Sequence, residues 1–371
     1  MSGRRLGVAA AFAGGRIVPG DVTVDHGIVT GIGVPGGRGR GRGLAAPGFV
    51  DVQVNGFAGV DFTVADVAGY GDAAAAIART GVTSFLATIP TTHPDQYAVT
   101  LRTAAMAVST AMPGARIAGV HLEGPFLSPV RPGAHRPDWL LLPDRTLCDR
   151  WLEEGPVVLV TLAPELPGAL ELISHLVARG VTVSVGHTDA LGAQAHAGFD
   201  AGASMITHLW NAQRPITSRQ PAAGGAALAR RDVAVAMICD LVHVAADTLL
   251  LSIAAAGDRF VMVTDAVAAA GLPDGTYAGR NWVSTVSGGA VRLEDGTLAG
   301  SACPMDQAIR NLVGLGLPLE RVLAAATSAP ADAIGRGAEG LGRLAPGVRA
   351  DVTVLDDALE ITRVLVGGNE V

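Results

Sequence analysis

Residues 157–187 read VVLVTLAPELPGALELISHLVARGVTVSVGH. Val157 to Leu162 is an apolar, β-branched run of strand length, Gly168 to Arg179 repeats its apolar residues with a helical period, and Val181 to Val185 is a second strand-like run. A strand, a helix and a strand in so short a stretch predict a parallel βαβ unit. The same alternation extends in both directions. Further runs lie at Phe49 to Val52, Val82 to Ile89, Ile117 to Leu122, Ala203 to Thr207, Val233 to Ile238 and Phe260 to Thr264, and further helices are expected over Ala65 to Thr80 and Ala245 to Ala256. Eight apolar strands alternating with helices predict an α/β fold, a (β/α)8 TIM barrel, rather than a sandwich.

The two ends of the chain read differently. Arg16-Ile17-Val18, a Pro19-Gly20 turn, alternating Val22 and Val24, then His26-Gly27 and Ile28-Val29 form a hairpin pattern. Leu6 to Ala13 is read as the first strand of that series. Behind Arg4-Arg5 it also has the outline of a short secretory leader ending at Ala11-Phe12-Ala13. Short strands return over Ala350 to Leu355 and Ile361 to Val366, with Gly367-Gly368-Asn369 as a turn. The expected organisation is a small flanking β-sandwich domain built from residues 1–47 and 341–371, around a catalytic barrel over 48–340. The Gly- and Arg-rich stretch 36–43 is read as a solvated basic turn.

Composition removes several classes of function. All 27 basic residues are arginine and none is lysine, which excludes a Schiff base, a phosphate-loop lysine and a carboxylated lysine bridging two metals. Apolar residues make up 49% and charged residues 16%, against about 25% charged in an average domain, so the chain is core-rich. A net charge of −7 argues against nucleic-acid binding. No apolar run reaches the roughly 18 residues of a membrane span. Cys148, Cys239 and Cys303 show no paired spacing, which suits a reducing cytoplasm.

The residues at the C-terminal ends of the strand runs carry the chemistry. The third run ends His121-Leu122-Glu123-Gly124-Pro125, the fifth Val185-Gly186-His187, the sixth Ile206-Thr207-His208 and the eighth Val263-Thr264-Asp265. In a TIM barrel the C-terminal strand ends face the active site, so a glutamate, two histidines and an aspartate are expected in one mouth. Two imidazoles and a carboxylate suit Zn²⁺ or a similar divalent ion with positions left for water and substrate, and the aspartate can move protons. His121 shares strand parity with Glu123 and points inward; a packing or supporting role is expected, with metal ligation as the other reading. His93 is read as a loop histidine, His26, His175 and His196 as solvated, and Cys303 as a small buried thiol.

These residues carry a family resemblance. The chain resembles the amidohydrolase superfamily and, within it, the N-acetylglucosamine-6-phosphate deacetylase family, through Pro47 to Gly56, His121-Leu122-Glu123-Gly124-Pro125-Phe126, Gly133-Ala134-His135, Thr161 to Glu165, Gly186-His187-Thr188, Thr207-His208-Leu209-Trp210-Asn211-Ala212, Val263 to Ala266 and Gly296 to Ser301. The resemblance implies metal-dependent hydrolysis of an acetamide on a phosphorylated amino sugar, in amino-sugar catabolism and cell-wall recycling. It implies Glu123, His187 and His208 as metal ligands, Asp265 as the acid and base, and His135 as the group that polarises the carbonyl. Many superfamily members carry two histidines at the end of strand one for a second metal. Here those positions are Gln53 and Asn55, and with no lysine available a single metal is expected, zinc foremost.

For the substrate, the resemblance implies Ala134, His135, Asn211, Ala212, Asp240, His243, Leu298, Ala299 and Gly300, with Arg219 reaching the phosphate across a homodimer interface. The family usually has glycine where this chain has Leu241. Two other readings stand beside this one: a sibling amidohydrolase acting on N-acetylgalactosamine 6-phosphate or another amide, and a non-catalytic barrel that has lost its metal. The intact Glu/His/His/Asp set opposes the last.

Overall fold

The computed structural model describes residues 3–35, 41–278 and 283–371. Eight parallel strands, Phe49–Val54, Val82–Pro90, Arg116–Glu123, Val157–Leu162, Thr182–Val185, Met205–Ile206, Ala234–Ile238 and Phe260–Val263, numbered one to eight, pair with their neighbours in chain order. All the expected runs are present. Strand six is shorter than Ala203 to Thr207, because Ala203 N–H still bonds back to Gly198 O of the preceding helix and His208 turns out of the ladder.

Helices Val67–Ala78, Tyr97–Ser109, Arg145–Glu154, Ala169–Ala178, Gly192–Asp200, Ala222–Ala229 and Ala246–Ala256 follow strands one to seven, and Met305–Gly314, Leu319–Ala326 and Ser328–Ala333 complete the ring. Asp66 and Asp144 cap two of the helices, accepting from the N–H groups of Gly69 and Leu147. The helix read from 168–179 buries Leu172, Ile173 and Leu176 and turns Glu171 and Ser174 outward, as one apolar stripe requires.

Strands one and eight close the barrel. Asp265 N–H donates to Gln53 O at 3.0 Å and Asn55 N–H to Ala266 O at 2.7 Å. Below them Asp51 takes over the ladder: its carboxylate accepts Thr264 N–H at 3.3 Å, Thr264 Oγ1 at 2.5 Å and Gln53 N–H at 3.2 Å. Asp51 is fully buried, and burial pushes its carboxyl up to about 7 despite those three donors.

Both ends of the chain contribute to a six-stranded sheet, in which Val352–Leu355 pairs with Leu44–Pro47, which pairs with Ala10–Ala13. A three-stranded sheet of Arg4–Arg5, Asp21–Asp25 and Ile28–Val34 packs on it through Leu6, Val22, Val24, Val29, Val352 and Leu365. The expected strand over Leu6 to Ala13 is therefore confined to Ala10–Ala13, and a separate short strand precedes it. Arg4–Arg5 pairs with Thr23 and Val24 in one sheet, Ala10–Ala13 pairs with Arg16–Pro19 in the other, and Gly7, at φ +73°, lies in the crossing between them. Residues 36–40 of the expected basic turn lie outside the described residues.

One element was not expected. Strands Gly275–Ala278, Val283–Ser287, Ala290–Leu293 and Leu298–Ser301 form an antiparallel sheet inserted between strand eight and the helix at Met305. Its signals are the alternating burial of 283–287 and the turn pairs Gly288-Gly289 and Asp295-Gly296. Among the described residues no helix is long and apolar enough to cross a membrane.

The seam at Asp51 can be tested by itself. Asp51→Ala strands two buried N–H groups, each worth about 1–3 kcal/mol when left unpaired, and takes the nearer acceptor from the Thr264 hydroxyl. It should lower unfolding stability by on the order of 3 kcal/mol, read from the denaturant midpoint, and Asp51→Asn should cost less because it keeps an acceptor.

Candidate active site

Three strand ends turn through unusual backbone to aim their side chains inward. His187, His208 and Asp265 have φ of +46°, +26° and +52°, in the left-handed region, which costs a non-glycine residue roughly 1–3 kcal/mol. Glu123 extends directly from strand three. All four are buried. Glu123 Oε1 lies 3.0 Å from His208 Nε2 and 3.3 Å from His187 Nε2, and the two Nε2 atoms are 3.1 Å apart. Atoms about 2 Å from one zinc ion stand about 3.4 Å apart in a tetrahedron, so this triangle has the dimensions of three ligands around one divalent ion.

The donor chemistry fits a cation as well. His187 Nδ1–H donates to Arg131 O at 3.3 Å, which leaves the Nε2 lone pair facing the triangle. His208 Nδ1 is buried without a partner among the described residues. The carboxylate and the two imidazoles are held together by hydrogen bonds. Burial opposes the charge on Glu123, but hydrogen bonds from His187 and His208 keep its carboxyl well below the ordinary range. Burial likewise lowers His208, yet the bond and charge of Glu123 hold it above its ordinary value. A metal ion replaces the protons of those bonds.

Strand one supplies amide donors to the two carboxylates. Gln53 Nε2 donates to Glu123 Oε1 at 2.9 Å and to Asp265 Oδ1 at 3.1 Å, and Asn55 Nδ2 donates to Asp265 Oδ1 at 2.7 Å. Between two carboxylates the NH₂ end must face inward. Burial, with the neighbouring Glu123 charge, pushes the Asp265 carboxyl up to about 7.

His135 reaches the same mouth from the loop after strand three. Its Nδ1 accepts Thr91 N–H at 3.2 Å, so Nε2 carries the proton and lies 3.8 Å from Glu123 Oε2. Burial, and then the charge of His187, pushes His135 down to about 3, so the ring is neutral and a donor. A buried group of Glu123, His135 and His187 can itself bring three ligand atoms together, but the orientation of His135 makes its Nε2 a donor, and His208 Nε2 lies nearer to the Glu123 carboxylate, at 3.0 Å against 3.8 Å. The loop crosses His187 at Gly133, whose φ is +58° and whose Cβ would lie 3.0 Å from His187 Cε1. His121 is not a ligand. Its ring lies between Thr88 Oγ1 at 3.2 Å and Thr161 Oγ1 at 2.8 Å, and burial lowers it to about 4.

These groups open on a cavity of about 420 Å³. Ala134, His135, Asn211, Ala212, His243, Leu298, Ala299 and Gly300 line it. Asp240 does not. It accepts the N–H groups of Val242 and His243 at 2.9 Å each and His243 Nδ1 at 2.7 Å, so it carries His243 from behind. Leu241 adopts φ +64°, the conformation that favours glycine. Arg219 is exposed in the turn closed by Thr217 and Gln220 and does not line the cavity of its own chain.

Sequence reasoning missed Arg136 and Trp139, whose guanidinium and ring stack at 4.6 Å on the cavity wall, and Ser284, Val291, Leu293 and Thr297 from the inserted sheet. Arg136 directly follows the Gly133-Ala134-His135 segment, which was the available signal. His93 is a loop residue, as read, with its ring edge on Trp139. His175 is not solvated: its Nε2 lies 2.7 Å from Asp149 Oδ1. His196 is half-buried. Cys303 is a buried thiol outside the cavity lining.

Residues 44–371 match the model of the amidohydrolase family. The chain is 35% identical to N-acetylgalactosamine-6-phosphate deacetylase of Escherichia coli O157:H7, covering 89% of this chain and 88% of that one. It is 38% identical to N-acetylglucosamine-6-phosphate deacetylase of Rattus norvegicus, over 89% of this chain and 84% of that one. A mutant N-acetyl-D-glucosamine-6-phosphate deacetylase of Mycobacterium smegmatis, solved in complex with N-acetyl-D-glucosamine 6-phosphate, superposes with a TM-score of 0.92 at 34% identity, covering 100% of this chain and 99% of that one. With the buried Glu/His/His cluster at the C-terminal mouth of an eight-stranded barrel, these likenesses identify the chain as a member of the amidohydrolase family, grouped there with the amino-sugar-6-phosphate deacetylases.

Proposed function

We propose that this chain hydrolyses the acetamide of N-acetyl-D-glucosamine 6-phosphate to D-glucosamine 6-phosphate and acetate. The observation that carries the reading is the triangle of Glu123 Oε1, His187 Nε2 and His208 Nε2, with Asp265 and a neutral His135 at its edge. The substrate class rests on the solved relative that holds that sugar phosphate. Glu123, His187 and His208 hold one divalent metal, zinc foremost given two imidazoles and a carboxylate. A cation held there supplies Lewis acidity and makes water nucleophilic at neutral pH.

The chain's own residues do the rest. His135 Nε2–H donates to the acetyl oxygen as negative charge develops on it; such donors are worth about 3–4 kcal/mol. Asp265, with Oδ1 held by Asn55 and Gln53, accepts a proton from the attacking water and returns it to the sugar nitrogen, so that the amine can leave. Asn211, Ala212 and Ala134 hold the sugar, and the wall from Leu298 to Gly300 shields it from water. His243, fixed by Asp240, meets the phosphate. Arg219, which is exposed and does not line its own cavity, is contributed by the partner of a homodimer. Three buried, unpaired cysteines suit a cytoplasmic enzyme of amino-sugar catabolism and cell-wall recycling.

A second substrate has one specific observation behind it: the 35% identity to the N-acetylgalactosamine-6-phosphate enzyme. The two sugars differ only at C4. Acetate release measured across N-acetylhexosamines, with and without 6-phosphate, should be fastest with N-acetylglucosamine 6-phosphate; faster turnover of the galacto epimer would transfer the assignment.

Three outcomes are expected of the purified protein. Elemental analysis should find about one divalent ion per chain, lost in His187→Ala and kept in Gln53→Ala; two equivalents, both lost with Gln53, would refute the single-metal site. Asp265→Asn should keep metal and substrate binding while kcat falls at least about a hundredfold; near-normal turnover would hand the proton transfer to another residue. Arg219→Ala should raise KM for the phosphorylated sugar about ten- to a hundredfold and leave the unphosphorylated analogue little changed. If Arg219 acts across the dimer, hybrids of Arg219→Ala and Asp265→Asn subunits should recover activity.

A further inference from the structure

The loops after strands three, five and six carry His135, His187, His208, Asn211 and Ala212 into the cavity. One side chain outside the cavity ties all three loops together. Asp189 Oδ1 accepts Arg131 Nε at 2.8 Å, its Oδ2 accepts Arg214 Nη2, and its carbonyl accepts Arg214 Nε at 2.7 Å. The segment is anchored from the strand-four loop, where Glu165 accepts Asp189 N–H and the Thr188 hydroxyl, each at 2.6 Å. The backbone continues the link: Arg214 N–H donates to Thr188 O at 3.0 Å and Thr188 N–H to Ala212 O at 3.1 Å.

Arg131 connects this cluster to the site. Its carbonyl oxygen is the acceptor of His187 Nδ1–H, and Ser128 N–H, from the same loop, donates to His187 O at 2.9 Å. The position of the Arg131 backbone therefore sets the rotation of the His187 ring and the direction of its Nε2. The Asp189 side chain is only 16% exposed, between two guanidinium groups about one-third exposed. It is sheltered enough to act as a fixed point.

We infer that Asp189 is a positioning residue: the Arg131–Asp189–Arg214 clamp holds the carbonyl that orients His187 towards the metal and keeps the three loops in register around it. This rests on the reading of His187 as a metal ligand. Groups that orient a ligand histidine typically change metal affinity or activity by about ten- to a hundredfold when removed. An ion pair that only stabilises the fold would lower Tm and leave metal release alone.

The test uses zinc-loaded full-length protein, with zinc loss to a chromogenic chelator and kcat at saturating zinc as the two readouts. Asp189→Ala and Arg131→Met should each shed zinc about ten- to a hundredfold faster. The double variant should be no faster than the quicker single one, because both cut the same link. Arg131→Lys, which keeps a cation beside Asp189, should recover part of the loss. Zinc release at the wild-type rate in folded Asp189→Ala would overturn the inference, as would the same result in Arg131→Met should Asp189→Ala not fold, or effects that multiply in the double variant. His187→Ala separates the two levels. If it sheds zinc while the clamp variants do not, only the clamp fails. If it too keeps zinc at the wild-type rate, the ligand assignment fails and the clamp fails with it.

Discussion

A single carboxylate oxygen organises the mouth of this barrel. Glu123 Oε1 receives Gln53 Nε2 at 2.9 Å, His208 Nε2 at 3.0 Å and His187 Nε2 at 3.3 Å. Those partners come from strands one, six and five, and Gln53 passes the connection on to Asp265 of strand eight. A buried carboxylate is costly unless its lone pairs are met, so the ends of five strands are drawn to one point. The same crowding makes the site a cation site. Two imidazole nitrogens and a carboxylate oxygen at mutual contact repel one another unless protons or a metal ion stand between them.

The strained backbone has its place in this arrangement. Left-handed φ at His187, His208 and Asp265 runs against local preference, and only the surrounding barrel can enforce it. That barrel is well built for the purpose. Phe62 stacks on Tyr70 at 4.7 Å and on Phe85 at 5.8 Å, and Tyr97 stacks on Trp151 at 4.2 Å, within the main hydrophobic core. The seam between strands one and eight is stitched by Asp51, which substitutes carboxylate oxygens for missing ladder acceptors directly below Gln53 and Asp265. Core packing and polar closure thus act on the same strands that carry the chemistry.

The outer cavity is assembled from a loop and an inserted sheet. The loop from Ser128 to Leu142 brings His135, Arg136 and Trp139, and the inserted antiparallel sheet brings the opposite wall. Gly300 shows how closely that wall approaches the chemistry. At φ +64° it lies where a Cβ would come within 2.6 Å of Asp265 O and 2.4 Å of Val267 Cγ1, so the sheet can meet strand eight only through a glycine there. A substrate entering between these walls meets polar groups on the barrel side and a largely apolar surface, Val267, Val291, Leu293 and Leu298, on the other.

The repeating pattern was legible in the chain itself. β-branched runs such as Val157 to Leu162 and Val181 to Val185, with an amphipathic helix between them, depend on local periodicity, and each became a barrel strand or a surrounding helix. Glu123, His187, His208 and Asp265 stood out because a barrel sends every C-terminal strand end to one face. Tertiary structure alone decided the rest, because it depends on contacts between residues far apart in the chain. The tautomer of His135 is set by Thr91 N–H, the roles of Gln53 and Asn55 by carboxylates from strands three and eight, and the exclusion of Asp240 from the cavity by His243 lying in front of it. The inserted sheet escaped notice because its strands are short and half-exposed, and half-exposed strands carry little apolar signal. Arg219 marks the boundary from the other side: its place in the motif was visible in the sequence, but only the folded chain puts it outside its own cavity, because the turn between Thr217 and Gln220 holds it at the surface.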